Sequence, residues 1–227
     1  MVTRKLARGH KSITIPSLIL VVLSTVWLLY KVILGTLSTI DILFFLGTIL
    51  LLIFNLQFFR DPLRIPDDSN VLSIISPADG VLFEIDTTSE PDTTIYRIRM
   101  RFWDVHVNYM PLDGKLNSCT KKRGVLLPIL PGLNKYSKNK NARQTMVFES
   151  DKGFEFKVIQ ISGTLAYRTV AYGKETDYFK KAHKIGMIRY GSETDLHLPT
   201  TFSQPVARIG QKVKAGKTII SQLKGFS

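Results

Sequence analysis

The amino-acid sequence predicts a mainly β fold: one compact domain of antiparallel strands, preceded by an N-terminal pair of transmembrane helices. Three observations predict it. Two uncharged apolar runs lie close together near the N-terminus. Beyond residue 60 the chain breaks into short β-branched and aromatic runs, several alternating apolar with polar residues as half-buried strands do. Turn formers separate those runs, as in SPADG, PLDGK, DKG and IGQKVKAG. The 227 residues therefore divide into a basic tail and two-helix anchor, 1–60, and a β domain, 61–227.

The anchor comes first. Ile13 to Tyr30 and Ile42 to Phe59 are each 18 residues without a charge. Each would measure roughly 27 Å as a helix, close to the ~30 Å of a hydrocarbon core. Only Lys31 and Asp41 interrupt the apolar stretch, in a short connection with Gly35. Two spanning helices joined so tightly put both ends on one side. Arg4, Lys5, Arg8 and Lys11 precede the first run, and Arg60 and Arg64 follow the second, against Lys31 alone between them. The excess of positive charge places both ends, and hence the β domain, on the cytoplasmic side of the cell membrane. A hairpin dipping into one leaflet and a buried helical pair are the alternatives. A cleaved signal peptide is disfavoured, because a second apolar run follows and no small-residue cleavage site separates the two.

The chain carries 31 Lys and Arg against 18 acidic residues, a net charge of +13. That excess calls for an anionic partner. No zinc-finger spacing, RNA-binding aromatic motif or helix-turn-helix is present, so an anionic membrane surface is favoured over nucleic acid. The single cysteine, Cys119, rules out an internal disulfide and argues against a cysteine metal site; no metal is implied.

In the β domain the strand-like runs are, in order, VLSIIS, GVLFEID, TIYRIRMRF, VHVNYM, TMVFES, FEFKVIQIS, LAYRTVAY, GMIRY, TDLHLP and KTIISQL. GKETDYFKKAHK is the one stretch patterned for a short helix, and Pro128 to Asn141 forms a long polar loop. The V-x-x-G-x-x-I turn of ARIGQKVKAGKTII resembles the closing hairpin of lipoyl and biotinyl carrier domains, and SPADGVLFEI resembles their opening strand. The resemblance implies a barrel-sandwich. It does not extend to the carriers' function, since no lysine stands in their flanking pattern.

Three stretches carry reactive side chains: SPADG with Asp79, RFWDVHVNYMP with Asp104 and His106, and YGSETDLHLP with the Gly191–Ser192 bond. Read singly, each is a turn or a strand. Together they propose chemistry. On a strand, Asp104 and His106 would share a face. His106 could take the Ser192 proton, with Asp79 or Asp104 orienting the imidazole. Gly191 leaves the preceding carbonyl open to attack. Attack by the Ser192 hydroxyl would convert the amide to an ester. Elimination would split the chain, and hydrolysis of the resulting dehydroalanine would leave a pyruvoyl group.

FFRDPLRIP, ISPADGVLFEI, DVHVNYMPLDGKL, VIQISGTLAYR and GMIRYGSETDLHLP appear in that order. With them the chain resembles the phosphatidylserine decarboxylases in their short form, which includes archaetidylserine decarboxylases, from about Phe58 to Ile220. The resemblance implies decarboxylation of a serine-headgroup phospholipid to the ethanolamine lipid, by a pyruvoyl cofactor made from Ser192. Cleavage at Gly191–Ser192 would give a large chain, 1–191, and a small chain of 36 residues. By the same resemblance His106 serves cleavage, turnover or both, Asp79 supports processing with Asp104 as second candidate, and the protein self-associates. The longer branch of the family has a second histidine where this chain has Tyr109, so Tyr109 is a candidate donor or a packing residue. Arg143, in NKNARQT, falls at an Asn-x-Arg-like stretch and is a candidate for lipid phosphate, alongside Arg60, Arg64 and Lys135. His197, two residues from Asp195, is a further candidate near the substrate. His183 and His10 read as solvated and as tail. The rival readings are a membrane-anchored scaffold without chemistry and a serine hydrolase, the latter lacking the G-x-S-x-G elbow.

Overall fold

The computed structural model describes residues 5–66, 70, 72–125, 127, 140–163, 169–189 and 192–225. Gly191, Lys135 and Arg4, named above, lie outside these. The chain forms two compact units, Met1–Pro62 and Leu63–Ser227.

The first unit runs β1 (Lys5–Leu6), α1 (Lys11–Ile33), α2 (Thr39–Phe58) and β2 (Arg60–Asp61), with β1 and β2 paired antiparallel. Both helices are long and apolar enough to cross a membrane. At ~1.5 Å per residue they measure roughly 35 and 30 Å. Leu18, Val22, Leu29, Leu43 and Leu50 are exposed along them, the residue type a hydrocarbon medium accepts on a helix surface. Between the helices the Ser24 and Thr48 hydroxyls meet at 2.9 Å, a polar contact suited to helix association in lipid. A capping box starts α2: Asp41 N–H donates to Ser38 Oγ and Ser38 N–H to the Asp41 carboxylate. The same carboxylate accepts from Trp27 Nε1 at 2.8 Å, which ties the start of α2 to α1.

The second unit is built from strands. In chain order they are β3 (Ser73–Ile75), β4 (Gly80–Asp86), β5 (Thr93–Met100), β6 (Val107–Tyr109), β7 (Gly114–Lys122), β8 (Arg143–Ser150) and β9 (Glu155–Ser162). They continue as β10 (Thr169–Ala171), β11 (Tyr178–Phe179), β12 (Lys184–Ile188), β13 (Ser192–Pro199), β14 (Ser203–Pro205), β15 (Lys212–Val213) and β16 (Ile219–Leu223). Eight of them make one curled antiparallel sheet in the order β11-β7-β8-β9-β13-β5-β4-β15. Two three-stranded sheets, β10-β12-β6 and β14-β16-β3, complete the unit.

Alternation along the central strands decides what is buried. In β13, Thr194, Leu196 and Leu198 share a face; their cross-strand neighbours include Tyr96 and Ile98 of β5 and Val158 of β9. With Met146, Phe148 and Phe156 these side chains form the apolar core. Burying each large one stabilises the fold by about 1.5–3 kcal/mol. The opposite face of the same strands carries Glu193, Asp195, His197 and Arg97, and these are buried as well. Buried charge is tolerable only when paired. Arg97 supplies the pairing: it lies 2.7 Å from Asp86, 2.8 Å from Glu84 and 3.7 Å from Asp195. His197 Nδ1 lies 3.2 Å from Glu90.

Three expectations change. GKETDYFKKAHK forms no helix; it makes a turn and then β11, with Thr176 and Ala182 at φ of 78° and 64°, outside the right-handed helical region. Asp177 fixes that turn by accepting the Lys174 N–H at 2.8 Å. The run VHVNYM is a strand only from Val107, so Asp104 and His106 stand in the preceding turn and do not share a strand face. β7 was not foreseen, because its outer half, Lys121 and Lys122 included, is solvated and lacks apolar alternation.

One prediction follows from the buried charges. Burial would raise the Asp86 pKa, but hydrogen bonds from Ser89, Thr88 and Arg97 outweigh it and hold the carboxyl well below the usual range. A depressed folded pKa stabilises the fold above the unfolded value of ~3.9 and loses that effect as pH falls through the folded value. Asp86→Asn should therefore lower the thermal melting temperature at neutral pH, and its deficit against the natural chain should shrink below about pH 4. A deficit that stays constant into acid would contradict this role for Asp86.

Candidate active site

Ser192 opens β13 and is paired on both sides, with Met100 of β5 and Ser162 of β9. Beyond Met100 the chain makes a turn, 101–104, and reaches His106. The His106 carbonyl accepts the main-chain N–H of Ile188, the last residue of β12, at 3.1 Å. Residues 189–191 thus connect two points that the single segment 100–106 holds. One end is fixed by sheet pairing at Met100 and the other by the hydrogen bond at His106. The bond preceding Ser192 lies in this connection.

His106 is fully buried, and its Nδ1 lies 2.8 Å from the Asp104 main-chain carbonyl. A carbonyl can only accept, so Nδ1 carries a proton, and in the neutral ring Nε2 then holds the lone pair, the tautomer a general base requires. The ring contact expected from a carboxylate is thus made by main chain. Asp104 uses its own carboxylate to close the turn, accepting from Arg101 N–H at 2.8 Å and from the guanidinium at 3.2 Å.

Asp79 works at one remove. Its carboxylate takes the Arg64 guanidinium at 2.8 and 3.1 Å, the Ala215 N–H at 2.7 Å and the Val105 N–H at 3.4 Å. One side chain therefore joins the SPADG turn, the segment entering the domain, the closing hairpin and the residue before His106. Arg64, a candidate for lipid phosphate in the sequence, is committed to this pair, with its side chain only 10% exposed. Arg60 donates to the Gln57 carbonyl in the other unit.

Sequence reasoning missed the polar layer beneath Ser192. Asn108 Nδ2 donates to Thr194 Oγ1 at 3.1 Å and to the Pro77 carbonyl at 3.2 Å; its Oδ1 accepts from Gln160 Nε2 at 2.8 Å. Gln160 and Thr194 are direct partners across β9 and β13, two residues in from Ser162 and Ser192. All three residues are fully buried, and Gln160 Oε1 has no hydrogen-bond partner among the described residues. Gly186 makes the room: a Cβ there would stand 2.7 Å from Gln160 Nε2 and 2.5 Å from the Val170 carbonyl. The available signal was Asn108 itself, a polar residue two positions from His106 in an otherwise apolar run.

The remaining candidates lie at differing distances. Arg143 opens β8, opposite Lys122 and Ile161, one register position from Ser162. Its neighbour Asn141 is buried and donates to the Ser162 carbonyl at 2.7 Å, which fixes the strand that flanks Ser192. Tyr109 alternates to the opposite side from Asn108 and packs over Gly216, where a Cβ would come within 3.1 Å of its ring. His197 stands five residues along β13, roughly 16 Å from Ser192 at ~3.3 Å per residue. It pairs with Glu90, in the connection between β4 and β5. His183 is exposed, as its basic surroundings predicted.

Comparison with known proteins places this geometry in context. A family-wide sequence profile described as phosphatidylserine decarboxylase matches residues 51–221. A phosphatidylserine decarboxylase proenzyme of Carboxydothermus hydrogenoformans is 34% identical over 207 residues, covering 86% of this chain and 94% of its own. A Methanosarcina acetivorans protein, provisionally named an archaetidylserine decarboxylase proenzyme, is 38% identical over 171 residues, covering 75% and 76% of the two chains. A phosphatidylserine decarboxylase proenzyme of Paraburkholderia phymatum is 34% identical over 179 residues, covering 77% and 82%.

The Asp79 junction gives a direct test. Asp79→Asn keeps the shape but removes the charge that Arg64 faces. It should destabilise the fold by about 1–3 kcal/mol, because a largely buried cation loses its partner. The thermal melting temperature should fall, and Arg64→Gln added to it should cost less than the sum of the two single changes. An unchanged melting temperature would mean that the junction is not stabilising.

Proposed function

The chain belongs to the phosphatidylserine decarboxylase family and is a decarboxylase of serine-headgroup phospholipids; from that premise we propose that it matures by cutting itself at Gly191–Ser192 and works through a pyruvoyl group made from Ser192. The observation that carries this reading is the bracketing of residues 189–191 between Met100 and His106, with a buried imidazole in the bracketing segment.

In this reading His106 Nε2 takes the Ser192 hydroxyl proton, and the oxygen attacks the Gly191 carbonyl carbon. The C–N bond breaks as the imidazolium returns that proton to the departing nitrogen, and an ester replaces the amide. Removal of the Ser192 α-proton expels the Gly191 carboxylate and leaves dehydroalanine. Water then displaces ammonia to give the keto-acyl end. Asp104 holds the imidazole tautomer through its carbonyl, and Asp79 holds Val105 and hence the imidazole's position. The small chain, 192–227, stays with the large one, because β13 is paired to both β9 and β5 over most of its length.

The residues beside Ser192 suit the substrate such a group would take: Gln160 Oε1, a buried acceptor two residues in, could accept an N–H of the substrate amine, while Asn108 and Thr194 are tied together in the same layer. The pyruvoyl group supplies an electrophilic carbonyl that takes the substrate amine and draws off the electron pair left by departing CO2. His106 then returns a proton to that carbon. In this reading Arg143, one register position from Ser162, serves the headgroup; Tyr109, buried against Gly216, has the packing role; and His197 pins the β4–β5 connection through Glu90.

The two apolar helices support a membrane anchor with the domain on the cytoplasmic side, beside anionic headgroups and the lipid substrate. Self-association of the processed protein belongs to the same family reading. The antiparallel pairing of Lys212 with Val81 and Val213 with Gly80 supports the barrel-sandwich likeness, since it joins the two segments on which that likeness rests.

Trapping tests the proposal. Purified full-length protein treated with cyanoborohydride and a serine phospholipid should gain the mass of the lipid on the 36-residue chain alone. Ser192→Ala should remain one chain, gain nothing, and lose decarboxylation by more than about a thousandfold. A single uncut chain with full activity would overturn the reading.

A further inference from the structure

The turn beside Ser192 carries an exposed apolar pair. Phe102 and Trp103 are 38% and 65% exposed, two residues from Met100, which pairs with Ser192, and three from His106. Such exposure adds nothing to the core, yet the turn is firmly built. Asp104 accepts three N–H groups of Arg101, and the Arg101 guanidinium lies 5.6 Å over the Trp103 ring. A rigid turn that displays a tryptophan at the mouth of a site is built to meet something.

The same end of the sheet is basic. Lys122 pairs with Arg143, Arg143 with Ile161, Ser162 with Ser192 and Ser192 with Met100, so the ends of β7, β8, β9, β13 and β5 are aligned. That edge is about 19 Å wide at ~4.8 Å per strand. Lys122, Arg123 and Lys140 are exposed on it, with Val125 49% exposed among them. The nearby acids do not offset them, because Asp104 is bound to Arg101 and Glu193 is buried.

We propose that this sheet end is a membrane-contact surface: Phe102 and Trp103 enter the headgroup layer of a bilayer, and Lys122, Arg123 and Lys140 meet its anionic phosphates. A protein partner would be met by a broader apolar patch with its lysines removed. An exposed tryptophan and exposed cations along one sheet end are the pattern of a water–lipid boundary. The surface sets the Ser192 end of β13 against the layer that holds serine headgroups, so the substrate reaches it without leaving the bilayer. From the proposed function this takes only that the substrate is a bilayer lipid.

The chain has two tryptophans, so Trp27→Phe leaves Trp103 as the sole reporter. The full chain would be placed in lipid nanodiscs containing phosphatidylglycerol, with or without lipids bearing a nitroxide high on the acyl chain. Trp103 emission should be blue-shifted and quenched roughly twofold or more by the nitroxide, as expected of a ring in the headgroup region. Should Trp27→Phe fail to fold, the emission lost on Trp103→Phe in the otherwise natural chain gives the same readout by difference. Water-like emission, open to acrylamide and indifferent to the nitroxide, would overturn the proposal. Neither signal needs cleavage or turnover, so a chain that remains uncut would sink the proposed function and leave this result standing.

Discussion

The structure depends on two main-chain attachments made by one segment. Met100 pairs with Ser192 in the sheet, and the His106 carbonyl holds Ile188. Between those anchors the chain must pass from one sheet to another within three residues. Both ends of that connection are held by main-chain hydrogen bonding to the segment 100–106. His106 belongs to the same segment, so in the proposed reading the bond to be cut and its base depend on one element rather than on two that must find each other.

That arrangement explains why so much polar material is buried nearby. A catalytic segment in a turn has few ladder hydrogen bonds of its own, and its position must be fixed by side chains. Asp79 takes the Val105 N–H while holding Arg64 and Ala215, and Asn108 holds Pro77, Thr194 and Gln160 together. Each bond is worth little alone, about 0.5–1.5 kcal/mol net, but leaving any of these groups unpaired would cost more. Farther along the sheet Arg97 does the same for Asp86, Glu84 and Asp195, which lets β13 be covered on both faces. A strand held on both sides would also stay in place after the proposed cut at its start.

Much of the fold was legible because local pattern and burial agree there. GVLFEID, TIYRIRMRF and TDLHLP alternate, and they became β4, β5 and β13, with Arg101 and Phe102 falling in the turn after β5 and Ser192 and Glu193 added at the start of β13. The helices were legible from length and lack of charge, with ends extended by one turn or less. β7 was not, since a strand solvated over its outer half has no apolar period to read. The 174–184 stretch misled because helix-compatible residues there are overruled by an aspartate-fixed turn. At the site, the sequence could nominate Ser192, His106, Asp79 and Asp104 by chemical type. It could not show that Asp79 acts through Val105 and Arg64, or that the imidazole is oriented by a carbonyl. It could not pair Asn108 with Thr194 across 86 residues, because such contacts depend on sheet register and not on neighbourhood.

The account rests on His106 serving as the base that releases the Ser192 hydroxyl. The most direct measurement is the rate of chain cleavage in precursor freshly synthesised in a cell-free system with lipid present, for the natural chain and for His106→Ala, with and without added imidazole. The account requires the natural precursor to separate into its two pieces while His106→Ala stays whole, with imidazole restoring part of the rate. Cleavage of His106→Ala at the natural rate, without imidazole, would contradict it.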